Sequence, residues 1–166
     1  MSDSSWALHD KEFKLIEAEL AKLADLANAK MTFLVDKDGH LIASAGDSRN
    51  LDTTSLASLT AGNIAATGGI AKLLGEKEFT FLFHEGEKDN IHLSVIAQRV
   101  ILVVIFDQRS SLGLVRLRVR KSGEVLTQIF SSILNATGKE VLEAPEKESR
   151  SPFSAITEAD IDRLFG

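Results

Sequence analysis

Few side chains in this sequence are of the types that carry out chemistry, and their spacing matches no catalytic motif. Cysteine is absent, which excludes thiol nucleophiles, disulfides and thiolate metal ligands. The four histidines are His9, His40, His84 and His92. Their spacing is not that of metal ligands, so we interpret them as surface or strand residues. Gly68-Gly69 is followed by Ile-Ala-Lys, the wrong spacing for a phosphate-binding loop. We therefore predict no catalytic residue, no metal and no cofactor.

The segment DKDG offers two carboxylates, Asp36 and Asp38, in the arrangement that opens a calcium-binding loop. Gly39 comes two positions too early for such a loop, and no glutamate stands at its twelfth position. A turn between two strands is the favoured interpretation, because Asp and Gly are common turn residues.

Two groups of basic residues are candidates for contact with an anion. Arg49, Arg99 and Arg109 lie near predicted loops, from which one of them is able to enter a partner's active site as an arginine finger. Position alone is weak support for that role. The second group lies close together in one predicted helix: Arg116, Arg118, Arg120 and Lys121. Side chains at that spacing point in different directions, which favours a solvated surface over an anion site.

Composition limits the class of protein. The 166 residues are 44% hydrophobic and 26% charged, as in a globular domain, and the net charge is −5. A broadly basic nucleic-acid-binding domain is therefore not expected, and neither is a membrane protein, because the longest apolar run, Val100–Phe106, is too short to span a bilayer. With no signal peptide in MSDSSWALHDKEF, we expect a cytoplasmic protein.

The hydrophobic pattern predicts the element order α-β-β-α-β-β-β-α. Residues 10–29 and 53–74 have helical periodicity, and residues 110–135 keep a helical period after a strand-like start. Two strands are predicted to form a hairpin at 31–46, and three more are predicted at FTFLFHEG, IHLSVIAQ and RVILVVIFD. The last of these is apolar on both faces, so we predict that it is the central strand of the sheet. Short turns between strands predict an α/β (α+β) fold with a five-stranded antiparallel sheet between helices.

The second predicted helix has an unusual surface. At about 100° per residue, Leu56, Leu59, Ile70, Leu73 and Leu74 share one sector, which we predict to be the core face. The opposite face has one charge: Ala57, Ser58, Ala61, Ala65, Gly68, Gly69 and Lys72. Small side chains let another backbone approach closely, so we predict that this face is an interface, either in a homodimer or with a second protein. The alternative is burial within a larger monomeric core.

The chain divides into residues 1–136, a polar linker at 137–150 and a tail at 151–166. In the tail, Thr157 and Asp160 have capping-box spacing, which predicts a short helix. Its apolar residues would dock on another surface: Phe153, Ile156, Ile161, Leu164 and Phe165.

Several segments together resemble the roadblock (dynein light chain-related) family, in its bacterial members that regulate a small GTPase. They are FLVDKDGHLIASAG, LDTTSLASLTAGNIAATGGIAKLLGEKEF, FHEG, RVILVVIFD and SSLGLVRLRV. The resemblance covers residues 10–136 and resumes at SPFSAI and DIDRLF. It implies the roadblock fold, with the same order of helices and strands, and a homodimer whose sheets join edge to edge and whose second helices lie together.

The resemblance also implies a function. Such proteins bind the GTP form of a Ras-like GTPase of the MglA type, with two protomers per GTPase, and accelerate GTP hydrolysis by reshaping the GTPase rather than by supplying an arginine finger. This implies a non-catalytic regulator of cell polarity and motility, at a cell pole, with other polarity proteins as further partners. The family's GTPase contacts fall on Ala65 and Gly69. Helical geometry extends this set to Ala61, Gly68 and Lys72, and the tail residues named above would form a second contact.

Two alternatives remain at this point. A roadblock scaffold would bind the GTPase or another polarity protein without stimulating hydrolysis. A small enzyme or ligand-binding domain is the other alternative, and the missing motifs argue against it.

Overall fold

The computed structural model describes residues 10–143 of the protein, with the side chains of residues 10–135. Three helices and five strands follow one another in the predicted order. They are α1 (Asp10–Leu26), β1 (Met31–Asp36), β2 (Leu41–Gly46), α2 (Thr53–Leu73), β3 (Phe81–Glu85), β4 (Asn90–Ile96), β5 (Val100–Phe106) and α3 (Leu112–Glu143). The predicted fold class and element order are confirmed.

The five strands form one antiparallel sheet in the order β2-β1-β5-β4-β3. Strand β5 is central, and all seven of its residues are buried, which confirms the prediction from its apolar sequence. Strands β2 and β3 are the edges, so their outer backbone groups have no partner strand within the described chain.

Helices cover the two faces of the sheet unequally. Helices α1 and α3 pack together on one face, where Leu20, Leu102 and Leu126 are fully buried. Of the described helices, only α2 lies on the other face, over large side chains of β1, β4 and β5 such as Phe33, Leu93 and Val103. Each layer buries one side of the central strand, so β5 belongs to both cores.

Helix α2 packs on the sheet through its smallest residues, which makes most of the predicted core face wrong. Of the five large residues on that face, only Leu56 packs against the core. Ala57 and Ala61 are only 1% and 3% exposed and belong to the core beneath the helix. Leu59, Ile70 and Leu73, predicted to face the core, are instead 69%, 50% and 55% exposed. The physical reason is the sheet surface below. Because its side chains are already large, a helix can approach closely only through alanine and glycine.

The ends of α2 are well capped. The Asp52 carboxylate accepts a hydrogen bond from the Ser55 backbone N–H at 3.0 Å, so Asp52 is the N-cap. At the other end, Gly75 has φ of 78° and donates to the Lys72 carbonyl, while Glu76 donates to that of Ala71. This is a Schellman motif, and glycine suits its left-handed position.

Helix α3 is longer than predicted. It continues to Glu143, so residues 137–143 of the predicted linker are helical. The stretch KEVLE consists mainly of good helix formers, which extends the helix past Gly138. The tail at 151–166 lies outside the described residues, and its separation from the first domain stays a prediction. Among the described helices, none combines the length and the apolarity needed to cross a bilayer.

The turn between β4 and β5 places two ordinary residues in a left-handed conformation. Ala97 and Gln98 have φ of 54° and 59°, and the Arg99 N–H donates to the Ile96 carbonyl at 3.1 Å. A turn with both central residues at positive φ matches the twist of a hairpin, but it favours Asn and Gly over Ala and Gln.

Replacement of the exposed Gln98 by glycine should therefore stabilise the protein. Relief of a left-handed conformation gains roughly 1–2 kcal/mol, and the flexibility of glycine in the unfolded chain offsets about 0.5–1 kcal/mol of it. We expect Gln98→Gly to raise the free energy of unfolding in urea by about 0.5–1 kcal/mol. Gln108→Gly, at an exposed turn position without positive φ, is the control and should lower it. If both variants lost the same amount of unfolding free energy, the interpretation that Gln98 is strained would be wrong.

Candidate functional site

Helix α2 presents to solvent an exposed row of apolar side chains, most of them large. Leu59, Ala66, Ile70 and Leu73 fall on one side of the helix at about 100° per residue, and we call this row the apolar stripe. Leu74, which follows directly, is 67% exposed. Lys72 is the one charged residue in the whole of α2. Apolar surface of this extent on a described face is typical of a protein–protein interface.

Periodicity alone does not identify the apolar stripe, because α2 has two uncharged sides. Both its leucine side and its small-residue side are compatible with the core, and periodicity favours the bulkier one. The size of the sheet side chains beneath α2 determines which of the two sides packs on the sheet. A sequence signal was nonetheless present, since a helix of 21 residues with a single charge has no ordinary solvated face at all.

The residues predicted to contact a GTPase now divide into three groups. Ala61 is buried on the sheet, so its side chain is not available to a partner. Ala65, Gly68 and Gly69 are partly exposed on the flank of α2, and Lys72 is exposed. A Cβ atom placed on Gly68 would meet no atom within 4 Å, so this flank is open. We call Ala65, Gly68, Gly69 and Lys72 the small-residue flank.

A side-chain hydrogen bond ties α2 to the edge strand β3. Asn63 Nδ2 lies 3.1 Å from His84 Nε2, and the Thr67 hydroxyl donates to the Asn63 carbonyl at 2.8 Å. His84 and Leu82 project from β3 toward the α2 side of the sheet. The apolar stripe and a free sheet edge are therefore linked on one side of the molecule.

The loop arginines are exposed, and two of them are held by neighbouring carboxylates. Arg49 Nη2 lies 2.9 Å from Asp47 Oδ2, and Arg109 Nε lies 3.1 Å from Asp107 Oδ1. The hydrogen bonds from these arginines lower the pKa of both carboxyl groups. To act as an arginine finger, either side chain would first have to break the ion pair with its carboxylate and then enter the active site of a partner.

The Asp36, Asp38 and His40 side chains converge, with possible ligand atoms within 4.8 Å of one another. Asp36 Oδ1 is already used by the turn, because it accepts from the backbone N–H groups of Asp38 and His40 at 3.0 and 2.9 Å. The convergence is that of an Asx turn, as the interpretation of DKDG as a turn predicts.

A groove of about 700 Å³ opens on the other face of the sheet, between α3 and strands β3 and β4. Its walls include Phe81, His92 and Ser94 from the strands, and Arg116 and Arg120 from α3. The Phe81 and His92 rings stack with centroids 5.1 Å apart, and the Arg116 guanidinium carbon lies 4.4 Å from the centroid of the Phe81 ring. Arg116 is thus packed on an aromatic face rather than simply solvated.

His92 is neutral at the bottom of this groove. It is 2% exposed, and burial, followed by the charge of Arg116, lowers its pKa to about 4. Its Nδ1 atom and the Ser94 hydroxyl are buried without a hydrogen-bond partner among the described residues. Buried polar groups of this kind usually have a partner, so the groove has unmet hydrogen-bonding capacity.

The predicted tail contacts lie outside the described residues. Nothing in the fold therefore tests them, and they stay a prediction: Phe153, Ile156, Ile161, Leu164 and Phe165.

Comparison with known proteins points to one family. The Roadblock/LC7 domain matches residues 15–106. The solved structure of Myxococcus xanthus MglB is 59% identical to the chain and superposes with a TM-score of 0.73, covering 75% of this chain and 93% of that one. No curated protein sequence matches the chain.

Two further solved structures are more distant. The gliding protein MglB from Thermus thermophilus is 30% identical, with a TM-score of 0.68 over 71% of this chain and 90% of that one. An MglB with a tetrameric arrangement is 28% identical, with a TM-score of 0.70 over 74% of this chain and 93% of that one.

The low pKa of His92 should make stability depend on pH. Unfolding returns the pKa of His92 to its ordinary value near 6.5. Stability is therefore undiminished above pH 6.5 and falls as the pH is lowered toward 4, because only the unfolded chain then binds a proton at His92. His92→Phe keeps an aromatic ring beside Phe81 and removes the titration. Between pH 7 and 4.5, we expect wild type to lose about 2 kcal/mol more unfolding free energy than this variant. Identical losses in urea titrations of the two proteins would contradict the assignment.

Proposed function

The chain belongs to the Roadblock/LC7 domain family, and from this premise we propose that it is a non-catalytic, homodimeric activator of a small Ras-like GTPase of the MglA type. The observation that carries the proposal is the apolar stripe with the small-residue flank beside it on α2. Similarity to MglB proteins, one of them named a gliding protein, supports a role in bacterial motility and cell polarity. Its site of action is the cytoplasm, at a cell pole.

The homodimer forms when two copies bury their apolar stripes against each other. Each stripe contributes leucine and isoleucine side chains that are at least half exposed in one protomer. The edge strand β3 is tied to α2 through Asn63 and His84, so a second copy docked on the stripe has a sheet edge within reach. If the β3 strands of the two copies pair, the backbone N–H and C=O groups at each edge gain hydrogen-bond partners, and the two sheets join into one.

The GTPase binds where the two α2 helices lie side by side. Their small-residue flanks, from Ala65 to Lys72, then form one surface of low relief, which fits two protomers to one GTPase. No described side chain on this surface is a catalytic acid or base. Activation therefore acts by tighter binding of the hydrolysis-ready conformation of the GTPase, which shifts its population toward that state. Other polarity proteins are further partners for the same surface.

Charge placed in the apolar stripe should dissociate the dimer. Leu59→Glu with Ile70→Glu buries two carboxylates in the contact, and we expect the dissociation constant to rise about 100-fold or more. Sedimentation velocity over a range of protein concentrations measures it. The matched control is Leu15→Glu with Leu117→Glu, at leucines that are 49% and 46% exposed on other helices. A dimer that persists in the stripe variant, or is lost in the control, would refute this interface.

The GTPase-activating role should appear in single-turnover GTP hydrolysis by an MglA-type GTPase. Wild-type protein should increase the rate about tenfold or more, equivalent to about 1.4 kcal/mol of barrier. Ala65→Arg with Gly69→Arg adds bulk and charge to the flank and should abolish binding and stimulation. Gly113→Arg, at another open glycine at the start of α3, is the control and should leave both intact.

The same assay tests the mechanism. If the GTPase is reshaped rather than given an arginine finger, replacement of Arg49, Arg99 and Arg109 by alanine should leave the stimulated rate within about twofold of wild type. Loss of an arginine finger would instead return the rate close to that of the GTPase alone. Tight binding to the GTP form without stimulation would contradict the activating role and leave a scaffold.

A further inference from the structure

The groove between α3 and strands β3 and β4 plays no part in the proposed function, and its chemistry is that of a binding site. It lies on the sheet face opposite α2, away from the apolar stripe. Two buried polar atoms, His92 Nδ1 and Ser94 Oγ, line it without partners among the described residues. Both residues are more than nine-tenths buried.

We propose that this groove binds the chain's own C-terminal segment, residues 151–166, docked as a short amphipathic helix. The inference does not rest on the proposed function, because it requires only the chain itself.

The lining of the groove combines apolar surface with positive charge. Phe81, Ile96 and Val119 supply apolar walls, while Arg116 and Arg120 line one side. Glu124 is the one acidic residue in the lining, so the charge of the groove is positive overall. The partner that fits is therefore an acidic segment with an apolar side.

The C-terminal segment has that composition. Residues 151–166 contain the acidic residues Glu158, Asp160 and Asp162 and one basic residue, Arg163. Ile161, Leu164 and Phe165 are spaced to share one side of a helix. A helix of this length is marginal by itself in water, so its apolar side requires a docking surface.

The segment is also long enough to reach the groove. The described part of helix α3 reaches Glu143, about 22 Å along its axis from Gln128, which lies at the near end of the groove. The nine residues 144–152 can extend about 30 Å, which is sufficient to turn back along α3. Docking in the same chain then benefits from a high effective concentration.

The absence of cysteine from the chain allows a direct test by disulfide trapping. In the full-length protein, Gln128→Cys with Ser154→Cys places one thiol at the groove and one in the segment. Ser58→Cys with Ser154→Cys is the control, because Ser58 is exposed on α2, on the opposite face of the sheet. Under mild oxidation we expect the groove pair to form an intramolecular disulfide about tenfold faster or more, measured by peptide mass spectrometry.

Charge reversal tests the recognition itself. Arg116→Glu with Arg120→Glu should slow the groove disulfide about tenfold, and adding Asp160→Arg with Asp162→Arg should restore it. Asp160→Arg with Asp162→Arg alone should also slow formation of the groove disulfide. This variant keeps the test valid if the variant with the two groove arginines replaced fails to fold. Lys22→Glu with Lys37→Glu, at exposed sites elsewhere, should have no effect. Equal rates for the groove and control cysteine pairs, a disulfide joining two chains, or indifference to all charge changes would overturn the proposal.

Discussion

The contact between the alanines of α2 and the large side chains of the sheet is the constraint on which the functional surface depends. Ala57 and Ala61 have little volume of their own, so the helix axis lies close to side chains such as Phe33 and Val103. Once this side of α2 is fixed on the sheet, the leucines and isoleucine on its other side must face solvent. An apolar surface that would be costly in an isolated chain is thereby produced by good packing elsewhere.

As a result, the two faces of the sheet present different surfaces. On the α2 face, the helix presents a row of apolar side chains beside a flank of low relief, and a hydrogen bond holds it to the edge strand β3. On the other face, α1 and α3 complete the main core but leave part of β3 and β4 uncovered. Strand β5 joins the two layers, since each of its faces is buried under a different set of helices.

The described residues offer binding surfaces rather than reactive groups. His92, the one described histidine whose pKa is strongly shifted, is held in its neutral form and buried below an arginine and a phenylalanine. Arg49 and Arg109 are bonded to carboxylates of their own loops. The proposed activation of a GTPase would act by selecting among conformations of that partner, and this requires shape and apolar area more than acid–base chemistry.

The sequence by itself determined the architecture. Alternation in the strands, the apolar run of Val100–Phe106 and short turns predicted the antiparallel sheet and the order of its elements, because these signals depend on local periodicity. It also predicted that α2 carries an interface, since that helix has a single charge. Only the tertiary structure decided which side of α2 faces solvent, because either uncharged side could pack on the core and the large sheet side chains leave room only for the small residues. The groove at His92 was likewise invisible in the sequence, since it brings together residues from three separate elements whose proximity no local pattern records.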